Sequence, residues 1–533
     1  MKLLKILFGG RHEERSAPSD LFDVHHAKTL QAVGFPLKAP ADAAELGAPV
    51  REFYLHNPDA QGRYPLALLP MGQKRWVKWL VRNRGKHHDF SDAQILAFLH
   101  ATAADLPAHV ALTYRIHPGW QQQFPALDDG GRNLIAWLRS QFPKYKRLRA
   151  VRSIPLQLRP AKNALEGVNL LSHFCYPSGL QQAALGYKAD LEAAGFLVSC
   201  RDVPTGVRTE LAPREEWLGF EEYPVTITNV APAPHFANRY GRAGLARRTG
   251  VLQIAYWAWE LETIPDEWTQ LADGVDEIWT LTPFVAAAMQ AKMPVPVYSM
   301  LLGVSIGEVE SVPRARLGIA EDEFVFLFMF DMRSDFERKN PLAIVRAFRA
   351  AFRGDDRAKL VIKLSRGSSD PANLERLRAA TEGANVRLID EVVPRARAYG
   401  YIAMADCIVS LHRSEGFGLL MAEAMLLGKP VIATNYSGNT AFMEAENSVL
   451  ISYAMVEIAE DGSIYKQGNR WADPSVEEAA AAMRRLFDHR EEAALLGERA
   501  RTAAAERLSP AAASARMKAR LEQLWRERGP SGS

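Results

Sequence analysis

The run His412-Arg-Ser-Glu-Gly-Phe-Gly-Leu-Leu-Met-Ala-Glu423 places two carboxylates, Glu415 and Glu423, eight residues apart around a phenylalanine flanked by Gly416 and Gly418. Residues 407–412 before it read as a short buried strand, and residues 419–428 read as a helix closed by a glycine. Glu415 then lies at the carboxyl end of the strand. Glu423 falls about one turn into the helix, so both carboxylates face the crevice at the mouth of a parallel sheet, where ligands of open α/β sheets bind. The glycines let the backbone approach a ligand closely, and the amides that open the helix offer donors. Carboxylates placed there accept charge-assisted hydrogen bonds from ribose or hexose hydroxyls. The competing reading is an N-cap carboxylate and a solvated helix glutamate.

Working outward, the chain from Val168 alternates short β-rich runs with amphipathic helices, the pattern of parallel sheets covered on both faces. One half carries strand-like runs at 168–174, 197–203, 224–230, 251–257, 277–282 and 296–301. The other carries them at 324–330, 359–365, 386–390, 407–412 and 430–434. Between them, residues 302–316 contain Gly303, Gly307 and Pro313 with little periodicity, which marks a connection. After the strand at 324–330 comes Asp331-Met-Arg-Ser-Asp-Phe-Glu-Arg-Lys-Asn-Pro341, with Pro341 suited to the first position of a helix. A diphosphate needs arginine and lysine in such a loop, and the bland alternative is an exposed basic loop. Gly438, Asn439 and Thr440 follow the run 430–434 and open a further helix whose amides and hydroxyls suit phosphate, or simply cap it.

At Glu415, Gly416, Phe417, Gly418 and Glu423 the chain resembles the retaining glycosyltransferases of family 4. The run Tyr256-Trp-Ala-Trp-Glu-Leu261 with Ile264-Pro-Asp-Glu-Trp268 is similar to their bacterial polysaccharide and lipopolysaccharide members. The resemblance covers residues 165–510. It implies an α/β fold of GT-B type, two facing Rossmann-like domains with an interdomain cleft, here with a mostly helical N-terminal region added. It implies an N-terminal acceptor domain at 165–305, a nucleotide-sugar donor domain at 316–510, and a last helix at 511–533 that crosses back before a disordered tail. It also implies roles: Glu415 by the donor sugar, Glu423 on the nucleotide ribose, and Arg338 and Lys339 on the pyrophosphate. Arg333, six residues before Lys339, competes with Arg338 for that role. Gly416, Phe417, Gly418, Leu419, Gly438, Asn439, Thr440 and Gly179 would line the donor site, and Glu260 the acceptor side. At Gly179 the chain departs from the family's fuller glycine-rich loop, and Trp257 and Trp259 read equally as packing.

Residues 1–150 fall outside the resemblance and read as helical, with patterns at 92–104 and 132–141. Lys74-Arg-Trp-Val-Lys-Trp-Leu-Val-Arg-Asn-Arg-Gly-Lys86 mixes tryptophans and cations as helices lying on anionic membranes do. A bundle helix with Trp76, Trp79 and Leu80 inward gives the same period and is favoured. With 65 basic and 62 acidic residues the net charge is only +3, so no nucleic-acid partner is called for. Cys175, Cys200 and Cys407 lack metal-type spacing and read as buried thiols in a reducing compartment. No aspartates stand two apart and no histidine set has ligand spacing, so neither a metal nor a cofactor is expected. Residues 1–8 are too short for a signal core, and a cytoplasmic protein, peripheral on the inner face of the plasma membrane, is the expectation.

The expected activity is transfer of a hexose from a nucleotide-diphosphate sugar to a hydroxyl of a glycan or lipid-linked acceptor. The alternatives are a sugar-nucleotide epimerase on the same scaffold, which needs further acid and base residues, and a non-catalytic glycan-binding protein.

Overall fold

A computed structural model describes residues 42–159, 164–206, 212–354, 357–459 and 464–528. The expectations for residues 1–8 and for the tail 529–533 lie outside them.

The second half shows how composition builds the scaffold. Strand β7 (Phe324–Asp331) reads Phe-Val-Phe-Leu-Phe-Met-Phe-Asp, aromatic and branched residues that favour an extended chain. Successive side chains point to opposite faces, and both faces are covered. Phe324, Phe326, Phe328 and Phe330 enter one core with the helices Pro341–Ala351 and Val476–Asp488. Val325 and Leu327 enter the other with Arg395–Met404, Leu419–Leu426 and Arg490–Arg507.

Two six-stranded parallel sheets result. The first runs β2 (Leu197–Asp202), β1 (Gly167–Ser172), β3 (Val225–Asn229), β4 (Leu252–Trp257), β5 (Glu277–Thr280), β6 (Val297–Ser299). The second runs β12 (Val449–Ile451), β11 (Val431–Thr434), β10 (Cys407–Ser410), β7, β8 (Ala358–Ser365), β9 (Val386–Asp390). All eleven strands expected from the sequence form. β12 and the antiparallel hairpin of β13 (Tyr453–Glu457) and β14 (Arg470–Pro474) were not anticipated. By its contacts the chain groups into two compact units, one of Met1–Leu185 with Phe196–Gln253, the other of Gly186–Gly195 with Ile254–Ser533.

In the second unit, residues 300–313 after β6 carry neither helix nor strand, and a 3₁₀ turn, Arg314–Leu317, precedes β7. The last helix, Pro510–Arg528, returns to β5, where Arg520 Nε lies 3.2 Å from the Glu277 carboxylate. In the first unit, the helices Asp92–Ala104 and Arg132–Gln141 occur where their periodicity places them. Ser91 and Gln94 form a capping box at the start of the former.

The tryptophan-bearing helix is Gln73–Arg82. Trp76, Val77 and Leu80 are fully buried, with Trp79 stacked 5.2 Å from Trp76 and Tyr54 edge-on to it. The apolar face is therefore turned into the protein, while Lys74, Arg75, Arg82, Arg84 and Lys86 stay exposed. No single helix among the described residues is long and apolar enough to cross a membrane.

Candidate active site

The order of the second sheet reverses between β7 and β10, which pair in parallel although β8 and β9 separate them in sequence. Loops leaving neighbouring strands at such a point diverge and open a crevice at their carboxyl ends. The loop after β7 carries Arg338 and Lys339, and the loop after β10 carries Glu415.

A four-residue helix, Phe336–Lys339, aims the two cations. The Asp335 carboxylate caps it, accepting from the Arg338 amide at 2.8 Å. Asn340 ends it in the left-handed region at φ 53°, and its side-chain amide donates to the Leu411 carbonyl at 2.9 Å. That bond ties the β7 loop to the end of β10. Lys339 Nζ donates to Glu415 Oε1, and Arg338 Nη1 lies 3.1 Å from Glu415 Oε2 while donating to the Ser414 carbonyl at 2.9 Å.

Burial alone would raise the Glu415 carboxyl, but Lys339, Arg338 and His412 outweigh it and hold the group at about 2. For Arg338, burial is outweighed by Glu415 and then Glu260, which push the guanidinium up. Because the folded value of Glu415 lies below the ordinary 4.5, the unfolded chain binds more protons between the two values. The cluster's stability is thus fully present above 4.5 and is lost as the pH falls toward about 2. Across that window the melting temperature of the wild type is expected to fall relative to that of Glu415→Gln, measured calorimetrically at matched ionic strength. A constant difference would place the pair in solvent.

The Glu415 backbone is held from the next loop. Its amide donates to Ser437 Oγ at 2.8 Å, and its carbonyl accepts from the Gly438 amide at 2.8 Å. Ser437 sits at φ 75°, a region that favours glycine, which is the kind of strain that surrounding structure must enforce. A Cβ on Gly438 would come 2.2 Å from the Gly416 carbonyl oxygen, and one on Gly416 would come 2.6 Å from the Trp259 carbonyl. Gly418 takes φ 97° and precedes the helix Leu419–Leu426. Phe417 packs into the core, 5.2 Å from Phe442, and Leu419 is half-buried at the first helical position.

Glu423 has a different partner. Its side chain is 6% exposed, and its Oε1 faces Arg395 Nη2, from the exposed start of the helix Arg395–Met404. Glu260 lies closer to the charged cluster than its acceptor-side reading implied. Its carbonyl accepts from Ser414 Oγ, and its carboxylate acts on both Arg338 and Tyr465. Tyr465, between β13 and β14, is buried 5.7 Å from the Arg338 guanidinium, and burial followed by Glu260 pushes its hydroxyl up. Trp257 and Trp259 are buried packing.

The two arginines separate. Arg338 meets Glu415, whereas Arg333 lies 3.3 Å from Asp331, a carboxylate shared with Arg366 at 2.6 Å. The segment Gly438–Ala441 corrects an expectation: it is one 3₁₀ turn, not the start of a helix. Asn439 is fully buried in it, with its amide donating to the Thr434 carbonyl at 3.0 Å and its Oδ1 3.1 Å from His412 Nε2. Asn439 therefore positions His412, and the exposed Thr440 donates to the Ser437 carbonyl at 2.7 Å. Gly179 is the exposed first residue of the helix Gly179–Ala193 in the other unit, and a Cβ there would meet nothing. His412, Ser437, Arg395 and Tyr465 were missed from sequence, since each joins the site through a contact distant along the chain.

Metal-type spacing is absent from the sequence, yet folding brings His56, Cys175 and Asp202 of the first unit within 4.8 Å of one another. Their donor set suits a cation poorly. Asp202 already accepts from the buried Arg214 Nε at 3.0 Å and from the Cys175 amide at 3.2 Å, so its charge is matched.

With this geometry described, comparison with known proteins places the β7–β10 crevice. Residues 311–503 match the family model described as "Glycosyl transferases group 1". That span holds Arg333, Arg338, Lys339, Glu415, Glu423 and the 438–440 turn. The chain is 33% identical over 149 residues to D-inositol 3-phosphate glycosyltransferase 1 of Catenulispora acidiphila, covering 26% of this chain and 34% of that protein. It is 29% identical over 146 residues to the D-inositol 3-phosphate glycosyltransferase of Thermomonospora curvata, covering 26% and 33%. The chain thus spans about a third of the length of the curated relatives it matches. Among solved structures, a sucrose-phosphate synthase from Thermosynechococcus elongatus superposes with a TM-score of 0.50 at 16% identity, covering 68% of this chain and 100% of that one. A glycosyltransferase from Rickettsia africae gives 0.50 at 14%, covering 68% and 99%. At these identities the likeness is one of fold, and the fold is GT-B.

Proposed function

We propose that the chain is a retaining glycosyltransferase that moves a hexose from a nucleotide-diphosphate sugar to a hydroxyl of a glycan or lipid-linked glycan in cell-surface polysaccharide synthesis. The observation that carries this reading is the Lys339–Glu415–Arg338 cluster at the switch point, inside the residues that match the group 1 family. Lys339, its side chain 20% exposed, and Arg338 are the cations this crevice offers a diphosphate. In the reaction, the acceptor hydroxyl attacks the anomeric carbon on the face that the diphosphate leaves, and the donor phosphate takes its proton. Lys339 and Arg338 counter the charge that develops on the leaving group, without a metal ion, and fixed groups do this with little reorganisation. Glu415 orients the sugar hydroxyls. Glu423 accepts from the ribose hydroxyls once the exposed Arg395 swings aside.

In this reading the domains divide at the 302–316 connection, with the acceptor held by residues 165–305 and the donor by 316–510. The exposed cations of Lys74 to Lys86 give a cytoplasmic protein a weak hold on the anionic inner face of the plasma membrane.

A thermal-shift screen against UDP, GDP, ADP, dTDP and CMP and their sugar conjugates tests the donor class. One nucleotide family is expected to raise the melting temperature of the wild type and to do so less in Glu423→Ala. Equal shifts in both proteins would remove Glu423 from the ribose, and no shift with any nucleotide would leave the glycan-binding alternative. The two relatives' names make D-inositol 3-phosphate the first acceptor to try alongside glycans.

A further inference from the structure

Away from the crevice, the first unit encloses a cavity of about 320 Å³ walled by Glu52, Phe53, His56, Asp59, Phe90 and Arg242. Apart from Arg242 and Gly206, the lining comes from residues 43–90, the helical region that neither the resemblance nor the family match reaches. We propose that this cavity is a second binding site, taking one neutral sugar residue of a glycan, separate from the donor site and independent of the reading of that site.

The walls are built rather than accidental. Phe53 and Phe90 meet edge to face at 5.5 Å and make an aromatic corner. Glu52 is fixed by the Arg214 amide, 3.0 Å from its Oε2, and burial raises its carboxyl. His56 lies against the Ala212 carbonyl at 3.0 Å, and burial lowers its ring, so the imidazole is neutral near pH 7. The Arg242 guanidinium is anchored through Nε on the Pro204 carbonyl at 2.9 Å. Polar groups fixed by their own partners on partly apolar walls are how ligand pockets differ from surface dents.

Charge and size narrow the occupant. Arg242 is the one cation among the described wall residues, while the charge of Glu52 is already met by Arg51 at 3.8 Å, so the walls give a phosphate or nucleotide little to pair with. A purely apolar ligand would strip water from Glu52 and Asp59 without replacing it. A saccharide satisfies both kinds of wall: its hydroxyls donate to the carboxylates and accept from Arg242, and its C–H face lies on the phenylalanines. The volume, near the lower end of the roughly 300–1,000 Å³ typical of ligand pockets, admits a single ring.

Saturation-transfer NMR on the full chain tests this, with methyl α-glucoside, methyl α-mannoside, methyl β-galactoside and N-acetylglucosamine as probes. Asp59 is exposed, so Asp59→Asn leaves the fold alone, and Arg242→Met is compared at equal melting temperature. At least one sugar is expected to bind the wild type and Glu415→Gln alike, and about tenfold more weakly in each pocket variant, the loss of one charged hydrogen bond. Binding that survives both pocket variants, binding lost only in Glu415→Gln, or no binding of any probe would each overturn the proposal. Nucleotide shifts measured on the same proteins report separately on the donor site.

Discussion

Lys339→Met is expected to lower transfer by at least about 10²-fold to 10³-fold while leaving the melting temperature close to that of the wild type. Lys339 is the more accessible of the two cations, with its side chain 20% exposed against 7% for Arg338. In the proposed reaction its loss removes charge that would meet the leaving group, while Arg338 stays paired with Glu415. Glu415→Ala should abolish transfer too, for two reasons at once. It removes the carboxylate proposed to orient the sugar, and it strands a buried guanidinium, a change that costs about 3–5 kcal/mol when a buried pair is broken. The pair of variants separates catalysis from folding. The check is the initial rate of nucleoside diphosphate release with acceptor present, beside calorimetry. Wild-type rates in Lys339→Met would sink the site.

The second large effect comes from a residue with no side chain. Gly438→Ala would put a methyl 2.2 Å from the Gly416 carbonyl oxygen and 2.7 Å from that of Glu415. Both atoms are backbone, so neither can rotate away. Either the 437–441 turn or the Glu415 loop must move, and overpacking of this kind costs about 1–3 kcal/mol. Because the Gly438 amide also holds the Glu415 carbonyl, the shift falls on the Glu415 loop itself. A displacement of about 1 Å costs roughly 10²-fold in rate. Transfer is therefore expected to fall further than the stability loss alone explains, whereas Gly179→Ala, with open space around it, should change neither. Unchanged rates in Gly438→Ala would mean that the turn does not position Glu415.

The parts of the fold that were readable in the sequence share a cause. β7, β8 and β10 are buried on both faces, so their apolar runs are continuous and flanked by turn residues. β13 lies in an exposed hairpin, whose mixed residues carry no such signal, and β12 is only three residues long. The Lys74 to Lys86 run shows where period misleads: buried and membrane-facing tryptophans repeat alike, and only the packing of Trp76 on Tyr54 and Phe53 distinguishes them.

The site was legible where its chemistry is local. Glu415, Arg338 and Lys339 were marked by loops that follow strands, and the fold joins them through 76 residues of separation in the Lys339 case. The positioning groups were not legible. Nothing local in the sequence sets Ser437, Arg395 or Tyr465 apart from the chain's other serines, arginines and tyrosines. Each acquires its partner only when distant segments meet: Glu415 for Ser437, Glu423 for Arg395, Glu260 for Tyr465. The 438–441 turn was read as a helix start because glycine, asparagine and threonine favour both, and a single turn leaves no periodicity to decide.

The most direct test is a crystal structure with the nucleoside diphosphate that gives the largest thermal shift. The diphosphate is expected on Lys339 beside Glu415, with the ribose hydroxyls on Glu423 and Arg395 displaced from that carboxylate. A nucleotide bound elsewhere, with the Lys339–Glu415 and Arg395–Glu423 pairs intact, would contradict it.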